Sequence, residues 1–243
     1  MPTDSIYKRQ IERYLKESGY GAFEPKAVLF DMDGVLYDSM PNHAFSWHES
    51  MAHFNIEMSE AEAYMYEGMR GVETIKKVVR ERNGVDISDE VSERMYTEKS
   101  RIFATRPEAA IMEGVVEVQR KVKEAGLKIV VVTGSGQHSL LSKLQSDFRG
   151  LVSEDLIVCS FDVPIGKPHP MPYLKGMEKA GVKPWQSIVV ENAPLGVRAA
   201  KAANIFTVAV NTGPLSDEVL LGEGADIVLK KMTDLRDCID NLI

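Results

Sequence analysis

The sequence predicts an α/β fold: a parallel sheet covered by helices on both faces, with an all-helical segment inserted after the first strand. Three observations carry this. Short, continuously apolar runs recur at 26–30, 127–132, 156–159, 187–190, 205–210 and 225–229, and runs without polar alternation are strands buried on both faces. Amphipathic helical stretches separate them near 115–124, 140–147, 171–180 and 195–203, several closed by a residue such as Gly126, Gly181 or Asn204 that tolerates a left-handed backbone. Between 41 and 107 the alternation stops, and the spacing predicts four helices near 43–54, 59–67, 72–83 and 88–105.

Taken in order, the chain opens with a helical stripe (Ile6, Tyr7, Ile11, Tyr14, Leu15) ended by Gly19 and Gly21, an N-terminal extension over 1–24 that serves packing. Residues 25–41 and 108–243 form the α/β core and 42–107 a helical cap, with hinges expected near Met40–Pro41 and Pro107–Glu108. At 243 residues and 44% hydrophobic content the chain can bury a sizeable core. A net charge of −7 without basic runs argues against nucleic acid and anionic membrane as partners. Cys159 and Cys238 have no metal-site spacing, and no stretch is long and apolar enough for a leader or a membrane span, so a cytoplasmic monomer is expected.

Chemistry concentrates where the first strand ends. The stretch FDMDGVLYDS places Asp31, Asp33 and Asp38 together, and in an open parallel sheet ligands bind outside the carboxyl ends of the strands. Grouped carboxylates repel unless one is protonated or a cation lies between them, and an oxygen-rich cluster suits Mg²⁺. A lone Asp-x-Asp can equally be a turn, but three further stretches fall on the same edge. Thr133-Gly134-Ser135 offers a hydroxyl and backbone N–H groups, Lys167 sits in a proline-flanked loop, and Glu191-Asn192 adds a carboxylate and an amide oxygen. Nucleophilic carboxylate, neighbouring acid, hydroxyl, cation and metal-binding loop together describe phosphoryl transfer.

Those four stretches, DMDGVLYDS, VVTGS, GKPHP and VVENAPLGVRAAKAAN, in that order and with a helical insert after the first, resemble the motifs of the haloacid dehalogenase superfamily, in its β-phosphoglucomutase-like branch with a helical cap. The resemblance implies that Asp31 is the nucleophile forming an aspartyl-phosphate and Asp33 the general acid and base. It implies that Thr133, Gly134 and Ser135 hold the transferring group while Lys167 neutralises charge. Mg²⁺ would be held by Asp31, the Asp33 carbonyl, Glu191 and Asn192. Many relatives carry Asp where Asn192 stands. The branch's sugar-phosphate mutases are expected to carry a Lys-Gly-x-Ser-Arg loop in the cap, where this chain has Glu67-Gly68-Met69-Arg70-Gly71. Glu67, with His43 and Lys99 as further substrate-binding residues, resembles instead the inorganic pyrophosphatase of the branch. The expectation is therefore a Mg²⁺-dependent pyrophosphatase, with a β-phosphoglucomutase or small sugar-phosphate phosphatase as the alternative. Either way the partner is a compact phosphorylated substrate.

Overall fold

The computed structural model describes residues 4–135 and 138–243. Its sheet contains β1 (Ala27–Phe30), β2 (Lys128–Val132), β3 (Ile157–Val158), β4 (Ser187–Glu191), β5 (Phe206–Val210) and β6 (Ile227–Leu229). All pairings are parallel, in the order β3-β2-β1-β4-β5-β6. Side chains alternate between two buried layers. Val28 and Phe30 of β1 join one with Val131 and Val190, while Ala27 and Leu29 join the other with Val130 and Val189. A strand buried on both faces therefore reads as an unbroken apolar run, which is the pattern visible in the sequence.

The helices are α1 (Asp4–Ser18), α2 (Met40–His53), α3 (Glu60–Met65), α4 (Gly71–Asn83), α5 (Asp89–Phe103), α6 (Val115–Glu124), α7 (His138–Asp147), α8 (Met171–Ala180), α9 (Pro194–Ala202), α10 (Asp217–Gly222) and α11 (Met232–Cys238). The last two were not among the sequence expectations; each is short and carries few apolar positions. In α1, Tyr14 is buried, donates its hydroxyl to the Asn204 carbonyl at 3.0 Å and packs edge-on against Phe206. This segment completes one apolar layer of the sheet.

The helices α2 to α5 enclose a separate apolar cluster built on Trp47, Met51, Ile75, Val78 and Met95. Their starts follow local chemistry. Ser59 and Glu62 close a reciprocal capping box on α3, and the Ser88 hydroxyl accepts the Val91 N–H at the start of α5. The expected hinge at Met40–Pro41 is instead the first turn of α2, where a proline costs no hydrogen bond because the first N–H groups have no helical partner. No described helix is long and apolar enough to cross a membrane.

The topology decides where the chemistry goes. β1 lies between β2 and β4, with Phe30 level with Val131 on one side and Val190 on the other. The next residues of the three strands, beginning with Asp31 and Glu191 and followed closely by Thr133, therefore emerge side by side at one edge, at the point where the strand order reverses.

Candidate active site

Lys167 is buried and donates from Nζ to Asp31 Oδ1, to Glu191 Oε1 at 2.7 Å and to the Val132 carbonyl at 3.3 Å. Burial works against its charge, but the carboxylates of Asp31 and Glu191 outweigh it and hold the ammonium above the ordinary lysine range. Asp31 is pushed well up by burial and by the nearby charges of Glu191 and Asp33, with Lys167 pulling the other way. One lysine does not neutralise this group of acids; a further cation would.

Glu191, expected among the metal ligands, has both oxygens taken. Oε1 accepts from Lys167 and from the Tyr173 hydroxyl at 2.7 Å, and Oε2 accepts the N–H groups of Asn192 and Ala193 at 2.9 and 3.1 Å. A Cβ on residue 196 would lie 1.8 Å from Glu191 Oε1, so Gly196 lets the first turn of α9 close over this carboxylate. Asn192 differs: its Oδ1 is buried without a hydrogen-bond partner, while its Nδ2 lies against Gly34, whose φ of +83° and missing side chain let the amide approach. A buried carboxylate and an orphaned amide oxygen at the same strand edge, with the Asp33 carbonyl nearby in sequence, suit a hard cation that takes oxygen donors. Such a site draws on one carboxylate, an amide and the backbone.

Asp33 faces the helical segment. Its Oδ1 accepts from the Ser39 hydroxyl at 2.6 Å and lies 3.2 Å from His43 Nε2, and His43 Nδ1 lies 2.8 Å from Lys99 Nζ. These partners assign the imidazole proton to Nε2, leaving Nδ1 to accept from the lysine. Burial would raise the Asp33 carboxyl, but His43 and Ser39 overcome it and lower it to about 2. Lys99 is itself buried, stacked 4.8 Å from the Phe103 centroid and 5.2 Å from that of Trp47. Burial lowers its ammonium to about 8 despite Glu67 and Asp33. Glu67, on the connection between α3 and α4, is raised by burial and by Asp33, with His43 and Lys99 opposing.

Thr133 is buried, and its Oγ1 accepts the Ser135 N–H at 3.0 Å, which leaves the hydroxyl proton available for donation. Asp31, Asp33, His43, Glu67, Lys99, Gly134 and Ser135 line one cavity of about 260 Å³ between core and helical segment. Thr133 and Lys167 lie against its floor, on a small adjoining void shared with Gly68 and Gly134. Several lining residues escaped the sequence reading: Trp47, Tyr96, Ser100, Phe103 and Lys143. A signal existed for most of them. Tyr96, Lys99, Ser100 and Phe103 fall at i, i+3, i+4 and i+7 on α5, and Trp47 is one turn after His43 on α2, so each set shares a helical face. Lys143, paired with Asp147 and Glu108 at 2.7 Å each, carried no such signal.

Residues 28–210 match the model of the haloacid dehalogenase-like hydrolase family, and the chain belongs to that family. Among curated relatives, it is 28% identical to hexitol phosphatase A of Escherichia coli over 86% of this chain and 93% of the relative. It is 27% identical to a phosphorylated carbohydrates phosphatase of Thermotoga maritima, over 90% and 100%. Among solved structures, a protein of Bacteroides vulgatus provisionally assigned as a beta-phosphoglucomutase superposes with a TM-score of 0.94 at 48% identity, over 98% of this chain and 97% of the other.

Proposed function

We propose that the chain is a Mg²⁺-dependent phosphatase that cleaves small phosphorylated sugars or sugar alcohols through an aspartyl-phosphate on Asp31. The observation that carries this reading is the pairing of the buried Asp31–Lys167–Glu191 group with Asp33 across a single compact cavity. Asp31 attacks phosphorus while Lys167 and the Thr133 hydroxyl take up charge on the phosphoryl oxygens. Mg²⁺, held by Asp31, the Asp33 carbonyl and Asn192, would supply charge neutralisation to the phosphoryl group. Glu191, with both oxygens already bonded, would position Lys167 rather than join the metal's ligands.

Asp33 rests ionised and needs a proton to release the leaving oxygen. His43 Nε2–H lies 3.2 Å away to hand one on, and Lys99 stands 2.8 Å from Nδ1 to replace it. Asp33, ionised again, then activates the water that hydrolyses the acyl-phosphate. The segment α2 to α5 acts as a cap that keeps bulk water from this exchange.

Substrate class rests on Glu67 and on the relatives. A carboxylate beside the reacting centre accepts hydrogen bonds from hydroxyl groups, which a sugar or polyol supplies. The relatives' names, sugar and hexitol phosphatases, support this class and favour the sugar-phosphate alternative over pyrophosphate. A mutase needs a basic clamp for the distal phosphate of a bisphosphate; here Arg70 is exposed and donates to the Pro164 carbonyl at 2.9 Å. Pyrophosphate stays as a second reading for one reason: Glu67, lining the same cavity as His43 and Lys99, repels a naked anion yet tolerates a metal-bound one.

The test is phosphate release, with Mg²⁺, from hexose 6-phosphates, hexitol phosphates, β-glucose 1-phosphate and pyrophosphate. Hexose or hexitol phosphates should give the highest kcat/KM. Dominance of pyrophosphate would replace this reading by the second, isomerisation of β-glucose 1-phosphate would make the protein a mutase, and no release from any compound would end the phosphatase reading.

A further inference from the structure

The helical segment α2 to α5 meets the α/β core at bare backbone. Tyr64 on α3 packs against the apolar cluster of that segment, and its ring also lies on Gly213, in the loop that follows β5. A Cβ at position 213 would be 2.8 Å from both Cδ1 and Cε1 of the ring, closer than real side-chain carbons come. The seat is stiff. Asn211 donates from Nδ2 to the Leu215 carbonyl and to Asp217 Oδ1 at 2.7 Å each, its backbone N–H donates to the Leu229 carbonyl at 2.7 Å, and the Thr212 hydroxyl donates to the Gly34 carbonyl at 2.7 Å. Gly34 directly follows Asp33, so the loop that receives Tyr64 is bonded to the loop that carries this carboxylate. A second contact lies at Gly166, where a Cβ would be 2.8 Å from Arg70 Cγ, but an exposed arginine is a flexible chain that can swing aside. Gly213 differs: the group that a methyl there meets first is a flat ring anchored in a packed cluster, and its φ lies outside the left-handed region, so alanine would strain the contact and not the backbone.

We propose that Gly213 and Tyr64 are a positioning pair: the ring seated on bare backbone fixes the cap at the height from which His43 reaches Asp33. His43 lies on α2 and Asp33 in the loop after β1, so their 3.2 Å separation spans the boundary between cap and core. The helices α2 and α3 share one apolar cluster, through Trp47 and Met51 on the first and Ala63 on the second, so what lifts α3 lifts His43 with it. A cap raised by the width of a methyl group stretches this hydrogen bond beyond its useful range and slows proton transfer to Asp33. Neither member of the pair touches the reacting atoms; both act through His43. The proposal rests on the reading of α2 to α5 as a closing cap, and not on which phosphorylated compound fills the cavity.

Two readouts test the pair. Turnover is measured on whichever of the hexose phosphates, hexitol phosphates and pyrophosphate gives the highest kcat/KM, and small-angle X-ray scattering with Mg²⁺ gives the radius of gyration without any turnover. Gly213→Ala and Tyr64→Leu should each lower kcat/KM roughly tenfold, with the greater part in kcat, and enlarge the radius of gyration while thermal melting stays near wild type. Combined in one chain they should cost no more than the worse single variant, since both undo the same contact. Tyr64→Phe should match wild type, because the ring and not the hydroxyl is seated. Should Gly213→Ala fail to fold, the comparison of Tyr64→Leu with Tyr64→Phe carries the same decision. Losses that multiply in the double variant, a Tyr64→Phe variant as impaired as Tyr64→Leu, or a wild-type radius and kcat/KM in the two single variants overturn the pair and leave the phosphatase reading intact. If wild type releases phosphate from none of the compounds, the phosphatase reading ends, and the scattering still decides whether Tyr64 on Gly213 holds the cap.

Discussion

The two walls of the cavity are built on opposite plans. On the core side, Asp31 and Glu191 sit at the ends of buried strands with Lys167, from the loop before α8, between them, and every oxygen of Glu191 is bonded. On the helical side, Lys99 and His43 reach across to Asp33 in single file, Nζ to Nδ1 and Nε2 to Oδ1, where the Ser39 hydroxyl is a second partner of Asp33. A saturated network holds its geometry because moving any member strands a buried charge. A single file can pass a proton and re-form when the helices shift. The difference separates a part that must not move from a part that has to.

That contrast can be attacked from either wall, and the core side should give the larger effects. Asp31→Asn removes the attacking oxygen, and kcat should fall on the order of 10⁴-fold or more while the melting temperature changes little. Lys167→Met leaves Asp31 and Glu191 buried and unpaired, so chemical denaturation should register a loss of about 3–5 kcal/mol along with activity. On the helical side, Lys99→Met should behave in the reverse manner. It replaces a buried cation by an apolar chain, so stability should hold or rise, while kcat/KM drops roughly 10- to 100-fold. Because burial lowers Lys99 to about 8, its ammonium is lost as pH climbs through that value; wild-type kcat/KM should decline above about pH 8, and the Lys99→Met profile should lack that limb. The smallest effect belongs to Ser39→Ala, which removes one 2.6 Å hydrogen bond to Asp33 worth about 1 kcal/mol, a loss of fivefold or so in kcat/KM. A Lys99→Met variant as unstable as Lys167→Met would erase the distinction between the walls.

The core wall was legible from sequence because strand ends are short, contiguous and marked by motif. Asp31, Thr133, Lys167 and the 191–192 pair are each flanked by apolar runs or prolines that place them at one edge. The helical wall was harder to read. Its residues come from three separate segments, and only the fold tells that position 43 faces position 99. Tyr96 and Phe103 were hidden for a different reason: an aromatic on a helix reads as core packing until something shows that its face opens on a cavity. Glu191 shows a third limit. Residue type and position pointed to a ligand role, but its hydrogen bonds depend on Tyr173, eighteen positions earlier on α8, and on the absence of a side chain at Gly196. The short helices α10 and α11 carry too few apolar positions to generate a period, and Met40–Pro41 read as a joint because proline punctuates most sequences more strongly than it does the opening of a helix.

The anchoring of α1 bears on how such a protein can be cut. The family match starts at residue 28, yet Tyr14 is buried against Phe206 and Arg13 reaches the Asp226 carbonyl at 3.3 Å. A gene trimmed only at its start, to residue 28, would present a raw aromatic face to solvent, and its product should form inclusion bodies although every motif is intact. Chimeras that graft this catalytic body onto another leader would need to carry the first helix with it.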